Sequence, residues 1–248
     1  MMLAYLALTL AHLGYLDQAR SRMDGALSEA RRVRHFHTLA HVLTFANWLG
    51  WLTSSPLVNL DEALAVSTEH GFPFYLGFAR AYLGRSLLTR GQAQEGLALL
   101  TRALGDLHAT AGGVSTPMLF IWLAEAYAAV GKPAEGQNCL AEAARIIETS
   151  DERVDEAELL HRVPGDLLNA AGDRSGAEQH YRQAIAVAER QSAKLLQLKA
   201  STSLARLWRD QGRRAEAGDL LGPIYNWFSE GFDASDLKDA RALLDELR

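Results

Sequence analysis

The sequence predicts an all-α fold: a right-handed helical-repeat superhelix of about six helix pairs, followed by a C-terminal capping helix. Three observations predict it. A glycine returns at a nearly fixed interval, a fixed pattern of large and small residues surrounds that glycine, and the composition is that of an ordinary folded chain. A constant period of this size is typical of stacked helical units, each of which contacts its neighbours in sequence. We therefore expect residues 1–248 to form one solenoid domain.

The glycines set the period of the repeat. Gly91, Gly131, Gly172 and Gly212 follow one another at intervals of 40, 41 and 40 residues, and Gly14 precedes Gly91 by 77, which leaves room for one more unit. Each glycine is followed by a small residue five positions later and by core-type residues at nine and twelve positions. Because glycine adopts a left-handed conformation without strain, we expect each of these glycines to end a helix.

The residues before each glycine predict the first helix of a pair. A large residue precedes a small one, as in Leu83-Gly84 and Leu123-Ala124, and a further large residue usually follows three positions after the small one. This spacing places the side chains on one helix face. The small residue allows the partner helix to approach closely. After the glycine, Pro133 suits the first turn of a second helix, where its missing N–H group has no partner to lose.

These signals predict thirteen helices in order. First helices are predicted near residues 1–13, 37–53, 73–90, 115–130, 153–171 and 193–211. Second helices are predicted near residues 15–33, 57–69, 92–109, 133–149, 174–191 and 213–228, and a closing helix near 235–247. Repeat two departs from the pattern because the turn Ser54-Ser55-Pro56 replaces its glycine. Residues 111–115 have the composition of a loop, and Pro164 predicts a kink or break before Gly165.

The layout of large, small, large and glycine residues resembles the tetratricopeptide repeat (TPR) over the whole chain. The pattern is moderately specific in a single copy and strong when it occurs five times. The usual period of that repeat is about 34 residues, whereas here it is mostly 40. The resemblance therefore implies a TPR-like superhelix with longer helices and a wider, more open curvature.

A narrower resemblance lies in three short stretches. They are similar to the C-terminal helical-repeat region of bacterial signalling proteins that join a class III adenylate or guanylate cyclase domain, or a winged-helix DNA-binding domain, to a STAND/AAA-type ATPase. The stretches are residues 70–74, residues 157–162, and a run that extends from 203–208 through 223–233 to 237–240 and is quite specific. The resemblance implies a non-catalytic arm that senses or transmits a signal. Pro164 departs from it, because the family has a helix-compatible residue there.

Composition and motifs argue against several classes of function. The net charge of −5 gives no support for nucleic-acid binding. The apolar start, residues 1–13, is too short to span a bilayer and is in phase with the repeat, so we expect a first repeat helix and no membrane segment.

Cys139 is the single cysteine, which fits a cytoplasmic protein. Gly131-Lys132-Pro133 lacks the other residues of a phosphate-binding loop. We expect no enzyme activity and no cofactor.

The histidines give only weak support for a metal-binding site. His37 and His41 are four residues apart on a predicted helix and could share an ion. No aspartate or glutamate follows at a spacing that would complete the site, and His35 would point elsewhere. Surface or packing roles are therefore the favoured interpretation, and we predict no metal site from the sequence.

The first helices of TPR stacks line a groove, and this resemblance assigns candidate partner-binding positions. The candidates are Asn47, Trp51, Phe78, Arg85, Glu125, Arg162, Asp166, Asn169, Lys199, Thr202, Arg206 and Arg209. The predicted groove is apolar and aromatic in repeats two to four and charged in repeats five and six. Such a surface suits a peptide or helix that has an acidic end.

Alternatives stay open at this point. The partner could be a separate protein, a peptide or another domain of a longer parent protein. In a second class of function, the superhelix would hold a metabolite and act as a small-molecule sensor. The first helix carries Met1, Met2, Leu3, Tyr5 and Leu6, which offer little polar surface. We expect either a longer stack or a homodimer through this N-terminal repeat.

Overall fold

The computed structural model of the chain describes residues 1–57, 59–110, 116–150, 153–154 and 156–248. Within these ranges it contains thirteen α-helices, one π-helix and no strand. The α-helices are α1 Met2–Leu13, α2 Leu16–Val33, α3 Phe36–Leu52, α4 Leu60–Glu69, α5 Pro73–Thr89, α6 Ala93–Ala109, α7 Thr116–Ala129, α8 Pro133–Ser150, α9 Val163–Ala170, α10 Arg174–Arg190, α11 Lys194–Asp210, α12 Arg214–Trp227 and α13 Ser235–Leu247. The predicted all-α helical repeat is confirmed. The predicted loop at residues 111–115 lies outside the described residues.

The repeat glycines end the first helices in the way that the sequence predicts. All five have a positive φ angle, which an L-residue adopts only with strain. The angles are 96° for Gly14, 80° for Gly91, 77° for Gly131, 88° for Gly172 and 80° for Gly212. In repeat two, Ser54 takes the glycine position, 40 residues after Gly14, with φ of 51°. The period therefore continues through the repeat that lacks the glycine.

Small residues allow the two helices of a pair to touch through their backbones. A Cβ atom added to Gly84 on α5 would lie 3.0 Å from the carbonyl oxygen of Gly96 on α6, and one added to Gly96 would lie 2.8 Å from the carbonyl oxygen of Gly84. A Cβ atom on Gly136 of α8 would likewise lie 3.0 Å from the carbonyl oxygen of Ala124 on α7. These contacts leave no room for a side chain, as the large-small pattern predicts.

The chain divides into two compact units. Unit 1 consists of Met1–Leu8, Arg20–Leu52 and Pro56–Asp151, and unit 2 consists of Thr9–Ala19, Thr53–Ser55 and Glu152–Arg248. The largest fully buried side chains of unit 1 include Trp122 and Tyr82, whose rings meet edge to face. Tyr181 is the largest fully buried side chain of unit 2. That residues 1–248 form one domain stays a prediction.

Unit 2 joins segments that are far apart in the sequence. The Glu230 carboxylate accepts hydrogen bonds from the backbone N–H groups of Asp17 and Gln18, each 3.1 Å long. In return, the Asp17 carboxylate accepts the Gly231 N–H at 3.0 Å. Glu230 thus satisfies N–H groups in the first turn of α2 that have no partner inside the helix. This contact lies within the run of residues 203–240 that carries the more specific resemblance.

Two helices depart from the predicted map. The first helix of repeat five begins as a π-helix, Ala157–Arg162, in which the Val163 N–H donates to the Glu158 carbonyl five residues back. The change to α geometry comes at Val163, the residue before Pro164, whose ring nitrogen has no N–H to donate. The sequence predicted a kink or break before Gly165, whereas the structure has a continuous helical run that changes from π to α geometry. Helix α4 begins at Leu60 instead of near residue 57, after a longer turn that contains Pro56.

Candidate functional site

The candidate residues of α3 lie in unit 1 and differ in exposure. Trp51 is half-buried, and its ring meets that of Trp122 edge to face at 5.5 Å between centroids. Asn47 is 1% exposed, and no hydrogen-bond partner reaches its side-chain amide within the described structure. A buried amide without a partner is costly, so this position is one where a bound polar group or water would be stabilising. That Asn47 and Trp51 contact a partner stays a prediction.

The candidates of α5 and α7 form an ion pair and an aromatic contact in the same unit. Arg85 Nη2 donates to Glu125 Oε1 at 3.1 Å, which brings together two residues that are 40 positions apart. Phe78 is 6% exposed and packs edge to face on Phe74 at 5.1 Å between ring centroids. The structure therefore places Phe78 among buried side chains, and a ligand would contact it only if its neighbours moved.

In unit 2, a buried carboxylate forms ion pairs with two of the candidate cations. The Glu158 side chain, on the π-helix, is 2% exposed. It accepts hydrogen bonds from Arg162 Nε at 2.6 Å and Arg162 Nη2 at 2.5 Å, and it lies 3.7 Å from Lys199 Nζ on α11. A bidentate pair fixes the plane of the guanidinium group. Arg162 and Lys199 are thus held by a shared internal partner.

Arg162 also bridges to a second carboxylate on α9. Its Nη1 donates to Asp166, which in addition accepts a hydrogen bond from the Tyr181 hydroxyl at 2.8 Å and from the Ser203 hydroxyl at 3.3 Å. Burial, reinforced by the Asp166 charge, raises the pKa of Tyr181 well above its ordinary value, so this hydroxyl remains a donor. The network connects α9, α10 and α11, and it gives Asp166 a structural role in addition to any contact with a partner.

Helix α11 carries the remaining charged candidates. The Thr202 hydroxyl is buried and donates to the Leu198 carbonyl at 2.8 Å. Arg209 donates to Glu246 of α13 at 2.5 Å and to Asp210 at 2.9 Å. Arg206 differs because its side chain is 45% exposed and lies 3.5 Å from Asp239, whose side chain is 62% exposed. Asn169, at the end of α9, is also exposed.

Within each unit, the structure brings some of the candidates into direct contact. Arg85 meets Glu125, while Arg162, Asp166 and Lys199 form one network through Glu158. Sequence reasoning did not single out Glu158, although its spacing of four residues from Arg162 is a recognisable ion-pair signal. Its burial depends on packing against α11, and no local pattern reveals that packing.

The described residues also bear on metal binding, on the reactivity of the cysteine and on membrane insertion. Within these residues, no three histidine, cysteine, aspartate or glutamate side chains lie close enough to share a metal ion. Burial raises the pKa of the Cys139 thiol, which disfavours the thiolate. Among the described helices, none combines the length and the apolar character that crossing a membrane requires.

Comparison with known proteins gives matches of structure but not of sequence. No protein-family model matches the chain, and no curated protein matches it. Among solved structures, the chain is similar to a Podosopora anserina protein described as a kinesin light chain with nearly identical TPR-like repeats. The TM-score is 0.43 and the identity 19%, over 92% of this chain and 97% of that one. A single-residue variant of the same protein matches with a TM-score of 0.45 and 20% identity, over 82% of this chain and 93% of that one.

Proposed function

We propose that this chain is a protein-interaction module that binds an acidic peptide or an acidic segment of another domain. The observation that supports the proposal best is that Arg206 is exposed and only weakly paired. Its guanidinium group is exposed and lies at a long distance from Asp239, so the pair contributes little stability. A partner carboxylate can replace Asp239 at small cost. Arg162 and Lys199, in contrast, are committed to buried Glu158.

The surroundings of Arg206 favour recognition by a preformed surface. Asp166, Tyr181 and Ser203 form a hydrogen-bonded network next to it, and Arg206 acts on the Tyr181 hydroxyl through its charge. Side chains that are already held in place lose little conformational entropy when a ligand binds. The exposed Asn169 adds an amide that can both donate and accept hydrogen bonds.

Charge reversal at Arg206 is expected to weaken binding of an acidic partner without unfolding the protein. We expect peptides that are selected from a random display library for binding to the wild-type chain to be rich in aspartate and glutamate. The Arg206→Glu variant should bind these peptides at least about tenfold more weakly, because it loses a hydrogen-bonded charge pair at the interface. Arg190→Glu, an exposed charge reversal on α10, is the control. Unchanged affinity in Arg206→Glu, or selected peptides without acidic residues, would refute the proposal.

We further propose that the module is the C-terminal arm of a bacterial signalling protein linked to a cyclase- or regulator-associated ATPase. The support is the resemblance of residues 223–233, a stretch that includes the contacts of Glu230 and Gly231 with the start of α2. Sequencing the coding region before Met1 and the adjacent genes tests this idea, and a region without an ATPase domain would argue against it. No observation on the described residues favours the alternative of a metabolite sensor.

A homodimer through the N-terminal repeat is a separate proposal. Met2, Leu3, Tyr5 and Leu6 of α1 are exposed, and Met2 is 86% exposed. These side chains are uncharged, so two copies can meet there without burying a charged side chain. We expect a concentration-dependent dimer in sedimentation experiments that Leu6→Glu shifts to monomer. A wild-type chain that remains monomeric at high concentration would exclude it.

A further inference from the structure

Three potential metal donors from two helices of unit 1 converge on one point. The Tyr75 hydroxyl oxygen, on α5, lies 3.4 Å from Nε2 of His37 and 3.5 Å from Nδ1 of His41, both on α3. The two histidines are four residues apart, so their imidazoles project from the same face of the helix. The sequence alone offered these histidines without a third donor. Tyr75 supplies one from 34 residues beyond His41.

Two aromatic rings flank the histidines of this group. The rings of Phe45 and Phe72 flank His41 and His37 at 4.6 and 5.4 Å between centroids, respectively. Tyr75 is buried and His41 is half-buried, which limits the competition from water on that side, whereas His37 is exposed.

We propose that His37, His41 and Tyr75 form a binding site for a divalent transition-metal ion, with Zn²⁺ as the representative. The two imidazole nitrogens are the main ligands, the Tyr75 oxygen is a weaker third ligand, and water completes a tetrahedral set. Imidazole favours zinc, copper and nickel, whereas magnesium and calcium need several oxygen ligands. The ion would join α3 to α5, the first helices of two successive repeats.

The test is Zn²⁺ binding to the full chain without a polyhistidine tag. We expect one equivalent of Zn²⁺ to bind in calorimetry and to raise the melting temperature, while Mg²⁺ does neither. His37→Gln and His41→Gln should each weaken Zn²⁺ binding at least about tenfold, and Tyr75→Phe should weaken it less. His108→Gln, an exposed histidine on α6, and Cys139→Ser are matched controls that should bind as the wild type does.

A second measurement covers the case in which a histidine variant does not fold. In the wild-type protein, one equivalent of Zn²⁺ should shift the imidazole NMR signals of His37 and His41 and leave those of His108 in place. Absence of Zn²⁺ binding at millimolar concentration overturns the proposal. So does binding that shifts the signals of His108 but not those of His37 and His41, or binding that persists unchanged in folded His37→Gln and His41→Gln variants.

Discussion

Replacing Glu158 by leucine is expected to lower the free energy of unfolding of unit 2 by about 3–5 kcal/mol, the range for removing one partner of a buried ion pair. The Glu158 side chain is 2% exposed and is shared by Arg162 and Lys199. The Lys199 side chain is itself only 9% exposed, so loss of the carboxylate removes an ion pair between two buried side chains. Urea denaturation followed by far-UV circular dichroism gives the change in the unfolding midpoint.

Two further variants test whether the loss of stability in Glu158→Leu comes from the buried ion pairs. Glu142→Leu on α8 removes a carboxylate that pairs with Arg145 at 2.6 Å in an exposed position, and it should leave the midpoint nearly unchanged because exposed pairs contribute little. The triple variant Glu158→Leu, Arg162→Met, Lys199→Met removes the two cations that pair with Glu158 as well and should recover part of the loss. If Glu158→Leu has no more effect than Glu142→Leu, the buried network is not what stabilises this region.

The fold could be predicted from local signals because each repeat carries its own. The glycines at residues 91, 131, 172 and 212 mark left-handed turns, and a left-handed turn is a property of one residue and its neighbours. The close contact of Gly84 with Gly96 could likewise be anticipated from small residues at fixed spacing. Both signals recur, so an irregular unit such as the one that contains Ser54 does not hide the period.

The candidate site could be predicted only in part, because exposure and pairing depend on contacts between distant residues. Repeat positions placed Phe78 in the groove, whereas packing against Phe74 buries it. The same positions made Arg162 and Arg206 both charged candidates of the groove. In the structure, Arg162 pairs with buried Glu158, whereas Arg206 is exposed beside Asp239. Neither distinction is visible in a pattern of residue types along one helix.

The contact between the start of α2 and residues 227–231 gives the second large prediction. Gly14 has φ of 96°, and a Cβ atom there would lie 2.7 Å from Trp227, 3.0 Å from Phe228 and 3.1 Å from the Cβ of Lys194. Gly172 has φ of 88°, yet a Cβ atom there would meet nothing within 4 Å. Alanine at either position strains the backbone, but only alanine at Gly14 also overfills the space beside it.

Gly14→Ala is therefore expected to cost about 2–5 kcal/mol of unfolding free energy, compared with about 1–2 kcal/mol for the matched variant Gly172→Ala, where only the strain of a left-handed alanine applies. Adding Trp227→Ala to each glycine variant separates the two contributions, because removing the indole should restore part of the loss at Gly14 and none of it at Gly172. Chemical denaturation of the four variants measures this coupling. Equal losses in the two glycine variants would mean that residues 227–231 do not press on the Gly14 turn in solution. A larger loss at Gly14 that Trp227→Ala partly reverses would establish that Trp227, 213 positions away in sequence, presses on the Gly14 turn.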